Sequence, residues 1–140
     1  MAKQIEMKLA GFQFTKISAK RSREFNDKLE ISSNIGIKNL EKHKSEITKQ
    51  ESLQIEFEYI IDYKKLGKIE IEGIFFVLTD QKVMKEVIKE WENKKVESEI
   101  QIAIINLINR KSSIKALELQ EELGLPSHIR LPILQVGQKN

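Results

Sequence analysis

The spacing of apolar residues changes near Asp80, from every second position before it to every third or fourth position after it. Alternation is typical of strands with one buried face, and here it includes Leu53, Ile55, Phe57, Tyr59, Ile61 and Tyr63. The later spacing is typical of a helix with one apolar stripe, and it includes Val83, Met84, Val87, Ile88 and Trp91. A chain whose strands precede its helices is α+β. We therefore predict a four-stranded antiparallel sheet, followed by one short and one long helix packed on one face.

The alternating segments predict strands at 12–20, 29–37, 53–63 and 68–78. A phase shift between Phe14 and Ile17 indicates a bulge near Lys16. The polar segment 41–50 is interpreted as a long charged connection between the second and third strands.

The third and fourth strands are predicted to form a hairpin with a three-residue turn at 65–67 and Gly67 in the left-handed conformation. In that register Phe57 faces Phe75, and the Tyr59 ring covers Gly73.

The first helix is predicted at 81–94, with Thr79 or Asp80 as its N-cap. The second is predicted at 99–123, with Ser98 and Gln101 resembling a capping box, and it ends at Gly124. Two adjacent serines at 112–113 are expected to bend this helix or divide it. The apolar, proline-bounded tail 125–132 is expected to lie along the body of the protein.

Length and composition predict a single domain spanning 1–140, which is long enough to bury a core. With 24 Lys+Arg against 21 Asp+Glu, the surplus of three positive charges is small and interspersed, so nucleic acid is not expected as the main partner. The absence of cysteine excludes disulfides and thiol chemistry. No apolar run approaches the roughly 18 residues of a membrane span, and we find no signal peptide. We expect a soluble, cytoplasmic protein.

No set of residues with the spacing of a catalytic, metal or cofactor site occurs, so we expect a protein that is not an enzyme and needs no cofactor. His43 and His128 lack ligand-spaced partners, and we interpret both as exposed or locally hydrogen-bonded. The basic cluster 20–23 is interpreted as a solvated strand end rather than a nucleic-acid contact. A thioesterase-like enzyme, whose sheet wraps around a helix, is disfavoured because that helix comes early in the chain, whereas here both helices come last.

Two surfaces of the hairpin are candidates for binding. Four carboxylates project from one face and form a candidate docking surface for a basic partner, which we favour over a general acid–base pair: Glu56, Glu58, Glu70 and Glu72. On the same face of the fourth strand, Ile74, Phe76 and Leu78 are apolar although Phe75 and Val77 already serve the core. A strand apolar on both sides is either covered by another element or subunit, or it binds apolar segments of other proteins. Trp91 is either a core anchor or an interface residue.

The second helix is apolar around more than half of its circumference, which indicates burial against a second copy of the chain.

Three segments, in the order of the predicted elements, resemble the SecB-like protein-export chaperones. They are Phe-Gln-Phe-Thr-Lys-Ile-Ser at 12–18, Glu-Gly-Ile-Phe-Phe at 72–76, and Leu-Pro-Ser-His-Ile-Arg-Leu-Pro-Ile at 125–133. The well-known bacterial members are strongly acidic, whereas this chain has a formal charge of +3.

The resemblance implies a homotetramer, a dimer of dimers, that holds unfolded polypeptides or preproteins without ATP. It implies client binding in a hydrophobic groove, which we assign to Ile74, Phe76, Leu78 and Trp91. The four carboxylates would meet an export motor. Some members of the family instead guard a toxin–antitoxin pair, and we keep a dedicated partner-binding adaptor of this kind as the alternative.

Overall fold

The computed structural model describes residues 7–24, 28–93 and 99–128. In chain order the elements are β1 (Lys8–Arg21), β2 (Ser32–Lys44), β3 (Glu51–Asp62), β4 (Gly67–Leu78), α1 (Gln81–Glu92) and α2 (Glu99–Leu123). The predicted α+β fold is confirmed: a four-stranded antiparallel sheet is followed by a short and a long helix.

The sheet order is β1-β4-β3-β2, so the β3–β4 hairpin forms the centre and β1 and β2 form the edges. Alternate side chains of the two central strands are buried, because α2 crosses the sheet and packs against all four strands. The shorter α1 packs against β2 and contributes Met84 and Val87 to the core. The other side of the sheet carries no helix of the described chain, and we call it the open face.

The register of the hairpin differs from the predicted one by two residues. Ile61 pairs with Ile69, and Ile55 pairs with Phe75. The connection between the two strands is residues 63–66, and its left-handed residue is Lys64, with φ 58°, rather than Gly67. Because the shift is an even number of residues, every side chain keeps its predicted face. The predicted core residues of the hairpin are therefore confirmed although the pairing is wrong.

Phe57, rather than Tyr59, covers Gly73. A Cβ atom at Gly73 would lie 2.5 Å from Phe57 Cζ and 2.8 Å from the carbonyl oxygen of Gln13 on β1. Both distances are well inside van der Waals contact, so the absence of a side chain at Gly73 lets the aromatic ring and the edge strand approach at this point.

Both edge strands contain irregularities. The predicted bulge is confirmed by the register shift between Phe14 and Lys16. The predicted second strand is wrong at both ends, since Leu29–Ile31 precedes β2 and β2 continues to Lys44. A register shift between Ile37 and Asn39 changes which alternate residues of β2 face the core, so that Leu40 is buried. The alternation of apolar residues is therefore interrupted in the sequence, and we wrongly assigned the last four residues of β2 to the connection.

The helix ends are determined by polar contacts. Asp80 is the N-cap of α1 and accepts a hydrogen bond from the backbone N–H of Lys82. The serines at 112–113 do not divide α2, which is continuous through both. Gly124, with φ 64°, ends the helix as predicted. The Arg21 guanidinium donates hydrogen bonds to the carbonyls of Leu123 at 3.1 Å and Gly124 at 2.5 Å.

Two expectations lie partly outside the described residues. The capping box would need Ser98, and the tail prediction extends beyond His128. Within the described part of the tail, Leu125 is buried and Tyr63 Oη donates to the carbonyl oxygen of Pro126, at 2.5 Å. The described part of the tail therefore lies against the body, as predicted.

We expect Gly73→Ala to lower the free energy of unfolding by about 2–3 kcal/mol, because the added methyl group would overlap the Phe57 ring and the β1 backbone. Gly11→Ala is the matched control, since its Cβ would meet nothing closer than Phe76 Cδ2, at 3.7 Å. Urea denaturation followed by circular dichroism measures both. Equal stability of the two variants would show that neither the Phe57 ring nor the β1 backbone restricts the space at Gly73.

Candidate functional site

The open face is apolar at one end and charged at the other. Along β4 the side chains on this face are, in order, Lys68, Glu70, Glu72, Ile74, Phe76 and Leu78, all partly exposed. Each of them alternates with a buried residue that faces the helices. The structure therefore places Ile74, Phe76 and Leu78 together on one accessible surface, and places the four predicted carboxylates on the same side of the sheet.

Trp91 lies elsewhere. It belongs to α1 and packs against the core on the helix-covered side of the sheet. The structure thus does not bring Trp91 together with Ile74, Phe76 and Leu78, because α1 leads away from the end of β4 and folds over the opposite face.

A pocket of about 180 Å³ opens at the edge of the sheet where β1 and β3 begin and β2 and β4 end. Phe76 and Leu78 form its apolar part together with Ala10, and the ring centroid of His43 lies 5.1 Å from that of Phe76. The rest of the lining is polar: Ser45, Thr48, Gln50 and Ser52. A cavity of about 150 Å³ can hold a benzene ring. The pocket therefore has room for one leucine-sized or phenylalanine-sized side chain.

Sequence reasoning did not identify His43 as part of this site. The prediction that His43 is exposed is confirmed, but we had placed it in a loop. It sits on β2 opposite Ser52, so its side chain shares the open face with Phe76. The register shift after Ile37 interrupts the alternation of apolar residues, so the sequence pattern did not assign His43 to this face.

The charged end is a network of ion pairs rather than an acidic surface. Lys16 on β1 lies 3.0 Å from Glu70, and Lys68 also lies 3.0 Å from Glu70. Glu72 accepts a hydrogen bond from Lys38 on β2. The hydrogen bond from Lys16 lowers the pKa of Glu70, and the one from Lys38 lowers the pKa of Glu72. These groups are solvent-exposed, so each pair stabilises the fold only weakly.

Glu56 and Glu58 on β3 form no ion pair among the described residues, although the charge of each helps to raise the pKa of Lys38. The three lysines come from both edge strands and from the start of β4, and they offset most of the carboxylate charge. Their positions depend on which strands are neighbours in the sheet, and the sequence alone does not show this.

A second depression, of about 210 Å³, lies between the charged and apolar ends. Gly73 and Ile74 line it together with Lys38, Glu56 and Glu72. An extended segment lying along β4 would therefore pass over both depressions.

A buried polar network ties the end of α2 to the central hairpin. Gln120 Nε2 donates to Tyr63 Oη at 2.6 Å and to His128 Nδ1 at 2.9 Å. Since Nδ1 accepts, the neutral imidazole carries its proton on Nε2, which donates to Tyr59 Oη. Tyr59 then donates to Ser113 Oγ at 3.0 Å. The predicted local hydrogen bonding of His128 is confirmed.

Burial governs the titration of this network. It lowers the pKa of His128 and raises the pKa of Tyr59 and Tyr63. For His128 the hydrogen bonds act in the same direction as burial, because a protonated imidazole would direct its Nδ1–H at the N–H donor of Gln120. The three groups therefore remain neutral near pH 7.

Among the described residues, no group of three or more histidine or acidic side chains is arranged to hold a metal ion. Neither of the described helices combines the length and apolar character needed to cross a bilayer. Comparison with protein-family models, curated proteins and solved structures gives no match for this chain.

We expect the free energy of unfolding to fall as the pH is lowered from about 7 to about 5.5. The folded-state pKa of His128 lies below its ordinary value of 6.5. The unfolded chain therefore binds the proton first, and the stability that neutral His128 provides is lost as the pH falls through the folded pKa. The slope from this residue is at most about 1.4 kcal/mol per pH unit.

His128→Asn should flatten this dependence, because it removes the imidazole whose pKa is lowered by burial. Urea unfolding at several pH values between about 5.5 and 7 measures the slopes. An unchanged slope in His128→Asn would rule out His128 as its source. Protonation of Glu70 and Glu72, whose pKa values are lowered, acts only at more acidic pH.

Proposed function

We propose that this chain is an ATP-independent holdase that binds unfolded polypeptides through the apolar end of its open face. The observation that carries the proposal is the pocket formed by Phe76, Leu78 and His43, on a side of the sheet that no described helix covers. Ile74 continues the apolar surface from this pocket toward the centre of β4. The resemblance to SecB-like export chaperones supports the same function and extends it to preproteins in the cytoplasm.

The physical basis is the exposure of apolar side chains in unfolded chains. A pocket that accepts one apolar side chain makes little demand on the rest of the client sequence. Each contact is weak, but several copies of the pocket on one oligomer would engage a long client together and raise its effective affinity. The homotetramer implied by the resemblance belongs to this proposal. The function needs no nucleotide, cofactor or catalytic residue.

The second candidate is an adaptor for one dedicated partner, such as a toxin–antitoxin-associated chaperone. The ion-pair network beside the pocket favours it, because a fixed pattern of lysines and carboxylates selects among partners more strongly than an apolar pocket does. Docking of an export motor would fall on Glu56 and Glu58, since Glu70 and Glu72 already have lysine partners.

The two candidates differ in their range of clients. We expect the protein to suppress aggregation of two unrelated, chemically unfolded proteins at near-stoichiometric ratio without nucleotide, as measured by light scattering during dilution from denaturant. Suppression of neither would contradict the holdase and favour the adaptor.

We expect Phe76→Ser to raise the concentration needed for half-maximal suppression by roughly threefold to tenfold, because it removes the apolar wall of the pocket. Stability should fall by only about 1–2 kcal/mol, since the Phe76 side chain is partly exposed. Ile60→Ser is the matched control: Ile60 is also partly exposed on the open face, but it pairs with Glu70 at the charged end.

The comparison needs both aggregation suppression and urea unfolding for each variant. Equal loss of suppression in Phe76→Ser and Ile60→Ser would mean that the pocket is not the binding site. A loss of suppression that merely follows stability in both variants would contradict the assignment in the same way.

A further inference from the structure

The outer side of α2 carries a regular stripe that faces away from the sheet at its centre, although Leu107 also packs against the core. Its members are alternately four and three residues apart, the spacing of core positions in a coiled coil: Ala103, Leu107, Arg110, Ile114, Leu117 and Glu121. The core-facing side of the helix is formed by other residues, among them Ile104, Ile108 and Ala116. The α2 stripe, as we call these six residues, is therefore additional to what packing on the sheet requires.

The α2 stripe is incompletely covered in a single copy of the chain. Ile114, at its centre, is 59% exposed, and Leu107 and Leu117 on either side are only partly buried. The neighbouring helix α1 packs against β2 and leaves this side of α2 accessible in the described structure. Burying a branched aliphatic side chain of this size is favourable by about 2 kcal/mol, so a covering surface would be stabilising.

Charged residues near the two ends of the stripe indicate what kind of surface would be complementary to it. Arg110 and Glu121 are both exposed, and neither forms an ion pair within the part of the chain that the structure describes. In an antiparallel helix pair related by a two-fold axis between Ile114 and Leu117, the four residues Arg110, Ile114, Leu117 and Glu121 each meet a residue of opposite heptad type. Ile114 then packs on the partner's Leu117, and Arg110 meets the partner's Glu121.

By symmetry each of these contacts occurs twice. A register one heptad away would put Arg110 against the partner's Ile114 and leave the arginine without its carboxylate. Charge complementarity therefore selects one register as well as one kind of partner.

We propose that the α2 stripe is the contact between two copies of this chain, which pair antiparallel over residues 110–121, a length of about 18 Å. The inference rests on the self-association included in the proposed function and adds its surface and register. It does not depend on client binding. Because the α2 stripe faces away from the sheet, the pairing leaves both open faces accessible.

Charge exchange across the two-fold axis tests the register. Arg110→Glu and Glu121→Arg should each raise the dissociation constant of the pair by at least about tenfold, since each replaces two attractive contacts by two repulsive ones. The double variant Arg110→Glu/Glu121→Arg should recover to within about threefold of the original. Glu122→Arg is the matched control, because Glu122 is exposed next to Glu121 but lies off the stripe. Sedimentation velocity over a concentration series measures the constants, and circular dichroism checks folding.

Ile114→Glu should halve the molar mass of the original assembly without loss of helix. An assembly whose mass responds to none of these substitutions would overturn the inference while leaving the proposed homotetramer intact. A chain that is monomeric at about 100 μM would overturn both. Suppression of client aggregation is measured separately on the same samples, so failure of the holdase proposal is distinguished from failure of the α2 pairing.

Discussion

The antiparallel pairing of β3 and β4 is the constraint on which the rest of the structure depends. Every second side chain along both strands is buried to within a few per cent, and these side chains make up most of the core. Both edge strands hydrogen-bond to this hairpin, and α2 packs across it. At the centre, Gly73 admits the Phe57 ring and the β1 backbone, so a single residue without a side chain sets how closely three strands pack.

The same hairpin accounts for the two halves of the open face. Because successive side chains of β4 alternate between faces, the core needs only every second residue, and the intervening positions can differ along the strand. Near the turn they are charged, and lysines from β1, β2 and β4 neutralise them. Near α1 they are apolar and line the pocket with His43. A partly exposed apolar surface of this kind costs the fold little, since its side chains contribute little to the core.

Polar contacts as well as apolar ones attach the end of α2. The hydroxyl groups of Tyr59 and Tyr63 reach the edge of the core, where Gln120 and His128 satisfy them, and Arg21 binds the last carbonyls of the helix. Buried polar groups of this kind must be paired to avoid a large desolvation cost. The segment after Gly124 is therefore held in a specific position, and its attachment depends on a neutral imidazole.

The sequence by itself determined the order of the elements, the buried face of each central strand and nearly every helix boundary. These follow from the period of apolar residues, which a local backbone geometry imposes directly. Only the tertiary structure decided the hairpin register, the late part of β2, the lysine partners of Glu70 and Glu72, and the separation of Trp91 from Phe76. Each of these depends on turn length, on bulges that shift the phase, or on which strand neighbours which. These are contacts between residues distant in the chain, and the local spacing of apolar residues does not predict them.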